Sequence, residues 1–277
     1  MMNPQPLAKL FGVDRPVALV TGSGADRVGR CIARRLAENG FRVVLHAHSS
    51  RSEVQATTAA WQKEGYEVSY VVGAVEDEQC IASWMKEIAS QFGGLHALVN
   101  SAARWDATPL EALDAQGLTA QWQVNLLGPT LLCRAAGLVM TGQSHGGAIV
   151  NIGDWAVVRP YPDFAAYMLS KGALRTLTQV MAVELAGRNP AIRVNAVLPG
   201  PVMLGDTIGP EARQKIIQQS LLKREGTPAD VAAAVKFLIE SPFITGVCLP
   251  VDGGRTIYAG HSHDIAAHPT YNRDHLA

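Results

Sequence analysis

The chain has 277 residues, 48% of them hydrophobic and 17% charged, with 24 Lys and Arg against 24 Asp and Glu. Such apolar content excludes a disordered chain, no apolar run approaches the roughly 18–20 residues of a membrane span, and zero net charge supplies no general field for nucleic acid or anionic lipid. The length allows one large α/β domain or two small ones, and such a chain buries roughly 75% of its unfolded surface and needs no staples.

Residues 1–15 read as an extension before the first strand, the short apolar run Val17–Val20, which stops at Thr21-Gly22. Arg27–Asn39 has Val28, Ile32 and Leu36 at helical spacing and Gly40 as its stop. Phe41–Ala47 is a second strand. Ser52 and Gln55 form a capping box that opens the next helix, and Gly65 closes it. Val68–Val72 is a third strand, Cys80–Phe92 a helix and Ala97–Asn100 a fourth strand. A long helix runs from Leu113 to Met140, followed by a strand at Ala148–Ile152 and a second long helix at Ala165–Ala186. Val194–Leu198 is the sixth strand. Thr227 caps a helix with Pro228 in its first turn, and Val247–Val251 is the seventh strand. Strands apolar on both faces, alternating with helices, predict a single α/β domain over residues 16–254. Its core is a doubly wound, parallel, seven-stranded sheet of Rossmann type with helices on both faces. Residues 255–277 hold His261, His263, His268 and His275 with little periodicity. A flexible or partner-draping tail is the plainer reading there and a metal site the other; no metal is assigned.

Cys31, Cys80, Cys133 and Cys248 are far apart and form no CxxC pair, so buried free thiols in a reducing compartment are expected. The first residues lack the basic and apolar blocks of a signal peptide, and the expected location is the cytoplasm.

The first strand runs into Thr21-Gly22-Ser23-Gly24-Ala25-Asp26-Arg27-Val28-Gly29. A glycine-rich turn between strand one and helix one lets backbone approach a pyrophosphate at a helix N-terminus; an ordinary tight turn is the plainer alternative. Gly22, Ser23, Arg27 and Val28 are therefore candidate cofactor residues. The second strand ends in His46-Ala47-His48-Ser49-Ser50-Arg51, without the acid that would bind ribose hydroxyls. Arg27 with His48, Ser49 and Ser50 makes a cradle for a ribose phosphate, which predicts NADP(H). Tyr167 and Lys171 lie one turn apart on the second long helix, where an ammonium would lower the phenol's pKa towards working range.

With Asn100-Ser101-Ala102-Ala103 after strand four, Asn125, Pro199-Gly200 and Val251-Asp252-Gly253-Gly254, these residues make Pro16–Gly254 resemble the short-chain dehydrogenase/reductase family. The resemblance implies NAD(P)-dependent hydride transfer. Tyr167 would donate the proton, Lys171 would bind the nicotinamide ribose and tune Tyr167, and Asn125 would hold a relay water. It further implies cofactor contacts from Val75, Asn100, Ser101, Ala102, Pro199 and Gly200, a homotetramer, and a substrate cover formed by Met203–Leu222.

Asp154 stands where the family places a serine, thirteen residues before Tyr167. A carboxylate repels a developing alkoxide but can bind an amino heterocycle or, once protonated, supply a proton to ring nitrogen. The alternative has Asp154 pointing away and another residue polarising a carbonyl. Within the family the pattern is similar to the pteridine reductases and dihydropteridine reductases. That likeness implies substrate contacts from Arg27, Asp154, Tyr167 and Trp105, the last stacking on the heterocycle, unless Trp105 simply packs on the core. Ser49 stands in place of a frequent phosphate-binding arginine, with Arg51 available nearby, and Ala74 in place of an adenine-binding aspartate. The expected function is NADPH-dependent hydride transfer to a pterin-like C=N bond of a small molecule. The alternative is a carbonyl or 3-oxoacyl-thioester reductase on the same fold. A non-catalytic NADPH-binding protein, which would have no use for Tyr167 and Lys171, ranks third.

Overall fold

The computed structural model describes residues 7–205 and 208–258. β1 (Val17–Val20) lies inside the sheet, with every side chain buried. Alternation along the strand sends Ala18 and Val20 to one face and Val17 and Leu19 to the other, as a period of two requires. β2 (Arg42–Ala47) and β3 (Val68–Val72) extend the sheet on one side. β4 (Ala97–Asn100), β5 (Gly147–Ile152), β6 (Ile192–Pro199) and β7 (Cys248–Val251) extend it on the other. The order is β3-β2-β1-β4-β5-β6-β7, all pairings parallel, so the predicted seven-stranded doubly wound sheet is present.

α1 (Leu7–Phe11), within the extension predicted before the first strand, packs Phe11 edge-on against Phe41 at 5.8 Å. The Ala18 face is covered by α2 (Val28–Glu38) through Ile32 and Leu36, and by α3 (Arg51–Lys63) through Val54 and Trp61. The opposite face carries α4 (Glu78–Phe92). Next in the chain are α5 (Ala115–Trp122), α6 (Gly128–Thr141), α7 (Ala165–Ala186), α8 (Pro210–Gln218) and α9 (Pro228–Glu240). α6 and α7 join α4, whereas Val231, Val235 and Ile239 of α9 join α2.

Several local expectations are corrected. α3 starts two residues earlier than the Ser52/Gln55 box implies. Ser50 takes the cap position, its carbonyl accepting the Val54 N–H at 3.2 Å, and Ser52 falls inside the first turn, where its hydroxyl cannot cap. The long helix expected over 113–140 begins at Ala115, capped by Asp114, and contains a π segment, Gln123–Leu127, which places Asn125 inside. Residues 115–141 are long and apolar enough to span a membrane by length and composition, but α6 packs on the sheet through Leu132, Ala136 and Met140. Of the four free cysteines only Cys133 is fully buried; Cys31, Cys80 and Cys248 sit at helix and sheet margins and stay partly exposed.

Two histidines are enclosed by this packing. His96 Nδ1 accepts the Val17 N–H at 3.1 Å, and burial, with Arg42 nearby, lowers its pKa to about 4. Burial also lowers His46 to about 4. The unfolded chain takes up protons near pH 6.5, while the folded chain does so only near 4. Stability is therefore expected to fall as pH drops through that window, by about 1.4 kcal/mol per pH unit for each histidine. Urea unfolding at several pH values between 7 and 4.5 measures this, and His96→Gln should flatten the slope. A flat wild-type profile contradicts the assignment.

Candidate active site

The strand order reverses between β1 and β4, and a doubly wound sheet offers its crevice at the carboxyl ends of those strands. Gly22 has φ +66°, and a Cβ there would lie 2.8 Å from Ala102 Cα; a Cβ on Gly29 would lie 2.6 Å from Gly22 O. Only glycine permits that approach of turn, helix and neighbouring loop. Val28 opens α2, and no side-chain cap occupies its first N–H groups, leaving a helix N-terminus suited to phosphate. Arg27, His48, Ser49, Ser50 and Arg51 are exposed around the turn. On the far side, Pro199 ends β6, and a Cβ on Gly200 would lie 2.5 Å from Asp252 Cα.

Some predicted cofactor contacts have other employment. Ser23 is buried; its hydroxyl donates to Val20 O at 2.7 Å and accepts the His46 N–H at 3.0 Å. Asn100 is buried too, donating from Nδ2 to Asn151 Oδ1 at 2.8 Å, so its side chain ties β4 to β5. The N–H groups of Ser101 and Ala102 donate to Thr21 Oγ1 at 2.9 and 3.1 Å. Val75 is buried against Gly128, which leaves only its backbone for a nucleotide. Asn100 Oδ1 is the exception, buried without a hydrogen-bond partner among the described residues.

β5 ends at Ile152, and Asp154 caps the short 3-10 turn Trp155–Val157 by accepting the Ala156 N–H at 2.7 Å. α7 presents Tyr167 and Lys171 to the same place. Tyr167 Oη donates to Asp154 Oδ2 at 2.7 Å, and Lys171 Nζ donates to Ile152 O at 2.8 Å. Burial raises the Asp154 pKa, opposed by the Ala156 and Tyr167 hydrogen bonds and by Lys171. Burial lowers Lys171 to about 8. Tyr167 moves well above the ordinary phenol value, through burial first and the Asp154 charge second. The expectation that Lys171 lowers Tyr167 is thus reversed, because burial first, and then the carboxylate in the serine position, favour the neutral phenol. The Asn125 side chain is also fully used, Oδ1 accepting from Arg104 N at 2.8 Å while the two hydrogens of Nδ2 are shared among Arg104 O, Gln121 Oε1 and Ser170 Oγ. It anchors the loop after β4, and its side chain is not free to hold a water.

Trp105 is 57% exposed and stacks on Phe164, with ring centroids 5.0 Å apart. Phe164 meets Tyr161 and Tyr167 edge-on. The aromatic wall therefore has members that sequence reading missed. The dense run Tyr161-Pro162-Asp163-Phe164 just before Tyr167 was its only signal.

Residues 24–256 match the family model described as Enoyl-(Acyl carrier protein) reductase. The chain belongs to the short-chain dehydrogenase/reductase family. It is 37% identical over 239 residues to carbonyl reductase family member 4 of Danio rerio, covering 86% of this chain and 97% of that protein. It is 32% identical to the 3-oxoacyl-[acyl-carrier-protein] reductase of Bos taurus, covering 83% and 94%. The structure of a gluconate 5-dehydrogenase from Burkholderia cenocepacia J2315, in complex with NADP and tartrate, superimposes with a TM-score of 0.82 at 28% identity, covering 88% and 96%. As a family member the chain is an NAD(P)-dependent oxidoreductase, and the open α2 N-terminus beside the Gly22 approach fits a dinucleotide. The relatives carry the names of carbonyl, 3-oxoacyl and sugar-acid enzymes, so they do not extend to the pteridine reductase likeness.

Family membership does not account for Arg255, at the start of the expected tail. It is buried, with its guanidinium 4.5 Å over the Trp155 ring. It donates to Ile216 O at 2.5 Å and Gln219 Oε1 at 2.6 Å, tying α8 to the loop that carries Asp154. The tail's first residue is thus packed beside the site, while Ile257 is exposed. The four tail histidines lie outside the described residues, among which no cluster of metal-ligating side chains occurs.

Proposed function

We propose that this enzyme uses NADPH to reduce a C=N bond in a flat heterocycle of pterin type. The observation that carries the reading is the Asp154–Tyr167 hydrogen bond of 2.7 Å, built where the family resemblance leads one to expect serine and tyrosine. NADPH would supply the hydride, held by the α2 N-terminus, Gly22 and Lys171. The free side chains of Arg27, His48, Ser49, Ser50 and Arg51 support the phosphorylated dinucleotide over NADH. Trp105 and Phe164 form a stacking surface for a ring. Tyr167, neutral because of burial and its carboxylate neighbour, is a proton donor rather than a base, which supports the reductive direction. Asp154, raised by burial, can accept an amino group's hydrogen bond or return a proton to Tyr167 Oη after Tyr167 protonates ring nitrogen.

A second reading, a carbonyl or 3-oxoacyl-thioester reductase, is favoured by the names of the relatives. NADPH oxidation measured with a dihydropterin, dihydrofolate, a small ketone and an acetoacetyl thioester separates the two. A preference for the thioester or ketone overturns the C=N reading. The exposed apolar residues Leu169, Val180 and Val183 on α7, with Leu138 on α6, support a homotetramer packed through these helices; mass measurement in solution tests it.

A further inference from the structure

His46 occupies the last turn of β2 before the exposed His48-Ser49-Ser50 segment, yet it is 2% exposed. Its backbone O accepts the N–H groups of Ser23 and Gly24 at 3.1 and 2.9 Å. Its own N–H donates to Ser23 Oγ at 3.0 Å. The ring continues in both directions. Nδ1 accepts the Gly22 N–H at 3.0 Å, and Nε2 is 3.0 Å from Gly73 O. A backbone N–H can only donate, so Nδ1 carries no proton and Nε2–H is the donor to Gly73. The ring is therefore neutral in one tautomer, which burial favours. Trp84 holds the ring edge-on at 5.0 Å, and it also walls Gly73, where a Cβ would lie 3.1 Å from Trp84 Cζ2.

One side chain thus joins the carboxyl ends of three strands: the glycine turn after β1, the end of β2, and Gly73 after β3. Gly73 opens the loop carrying Ala74 and Val75. The turn and this loop form two walls of the crevice in which the family's dinucleotide fits. We propose that His46 is a positioning residue for the cofactor, clamping the phosphate turn to the adenosine-side loop so that both walls are set before the dinucleotide arrives. Ala74 provides no hydrogen-bonding side chain on that loop, whose start is held by the Gly73 N–H donating to Ala47 O at 3.1 Å and by His46 at Gly73 O. The inference rests on the dinucleotide reading of the crevice.

The test compares wild type with His46→Leu, which keeps the volume and removes both ring hydrogen bonds. Phe41→Leu, at the opposite end of β2, serves as a stability control. Calorimetry gives the Kd for NADPH and for adenosine 2′,5′-bisphosphate; steady-state kinetics gives kcat at saturating NADPH; hydrogen exchange follows the Gly22 and Gly73 amides. In His46→Leu both Kd values should rise at least tenfold, kcat should stay within threefold, and the Gly22 amide should exchange faster. In Phe41→Leu the melting temperature should fall while both Kd values hold. Unchanged affinity in His46→Leu, or an equal rise in Phe41→Leu, overturns the proposal. If His46→Leu does not fold, His46→Asn, whose shorter stem keeps an acceptor near Gly22 N–H but falls short of Gly73 O, opens the clamp on one side and is judged by the two Kd values and the Gly73 amide's exchange. A wild-type protein without affinity for NADPH sinks the dinucleotide reading instead, and the Gly22 exchange rate then decides whether His46 holds the turn.

Discussion

Tyr167→Phe is expected to lower turnover by about 10³-fold, within the range for loss of a positioned general acid, while NADPH affinity changes little. Tyr167 is buried beside Asp154 and the aromatic wall, and it is neutral at working pH. Phenylalanine keeps the packing against Phe164 and removes only the hydroxyl. Asp154 Oδ2 then loses its donor, and a buried carboxylate without that hydrogen bond is destabilised by about 1–3 kcal/mol. Its pKa, already raised by burial, should rise further. Some of this is relieved by protonation, so the variant should remain folded. Paired assays of NADPH oxidation and NADPH binding make the measurement. A variant retaining more than a tenth of wild-type turnover removes Tyr167 from the chemistry.

Asp154→Ser should invert substrate preference. Reduction of the heterocycle is expected to fall at least tenfold, while reduction of a small ketone rises, because a hydroxyl can donate to a developing alkoxide and a carboxylate repels it. The Tyr167 pKa should move part of the way back down, since the Asp154 charge and hydrogen bond both raise it, while burial and the neighbouring Tyr161 would remain. The pH profile supplies an independent check. If Asp154 acts when protonated, wild-type kcat falls as pH rises through its raised pKa. The serine variant has no group to titrate there and should lose that limb. Identical substrate preference and an unchanged fall of kcat with rising pH would falsify the C=N reading and leave the carbonyl reading in place.

Much of this molecule was legible in the chain. The alternation of apolar runs and helical spacings gave the sheet and its covering helices, because periods of two and 3.6 are local and survive whatever packs against them. The glycine turn was visible for a similar reason: positive φ at Gly22 and close approach at Gly29 are demands that only glycine meets. The pairing of Tyr167 with Lys171 followed from helical spacing, and the departure at Asp154 from a count along the chain.

Hydrogen-bond partners and burial were not legible in that way. Ser23 and Asn100 looked like ligands of a nucleotide until β2 and β5 were beside them. His46 looked like one of several polar residues after β2 until Gly22 and Gly73 were placed on either side of its ring. Asn125 looked free until the π segment turned it towards Arg104, and Arg255 looked like the start of a loose tail until α8 and Trp155 enclosed it. The direction of the Tyr167 shift reversed for the same reason. Residue type and spacing along the chain determined the elements, the crevice and the acid–base pair. Only the tertiary structure decided which polar groups remain free for a ligand, because desolvation and pairing depend on neighbours 13 to 51 residues away.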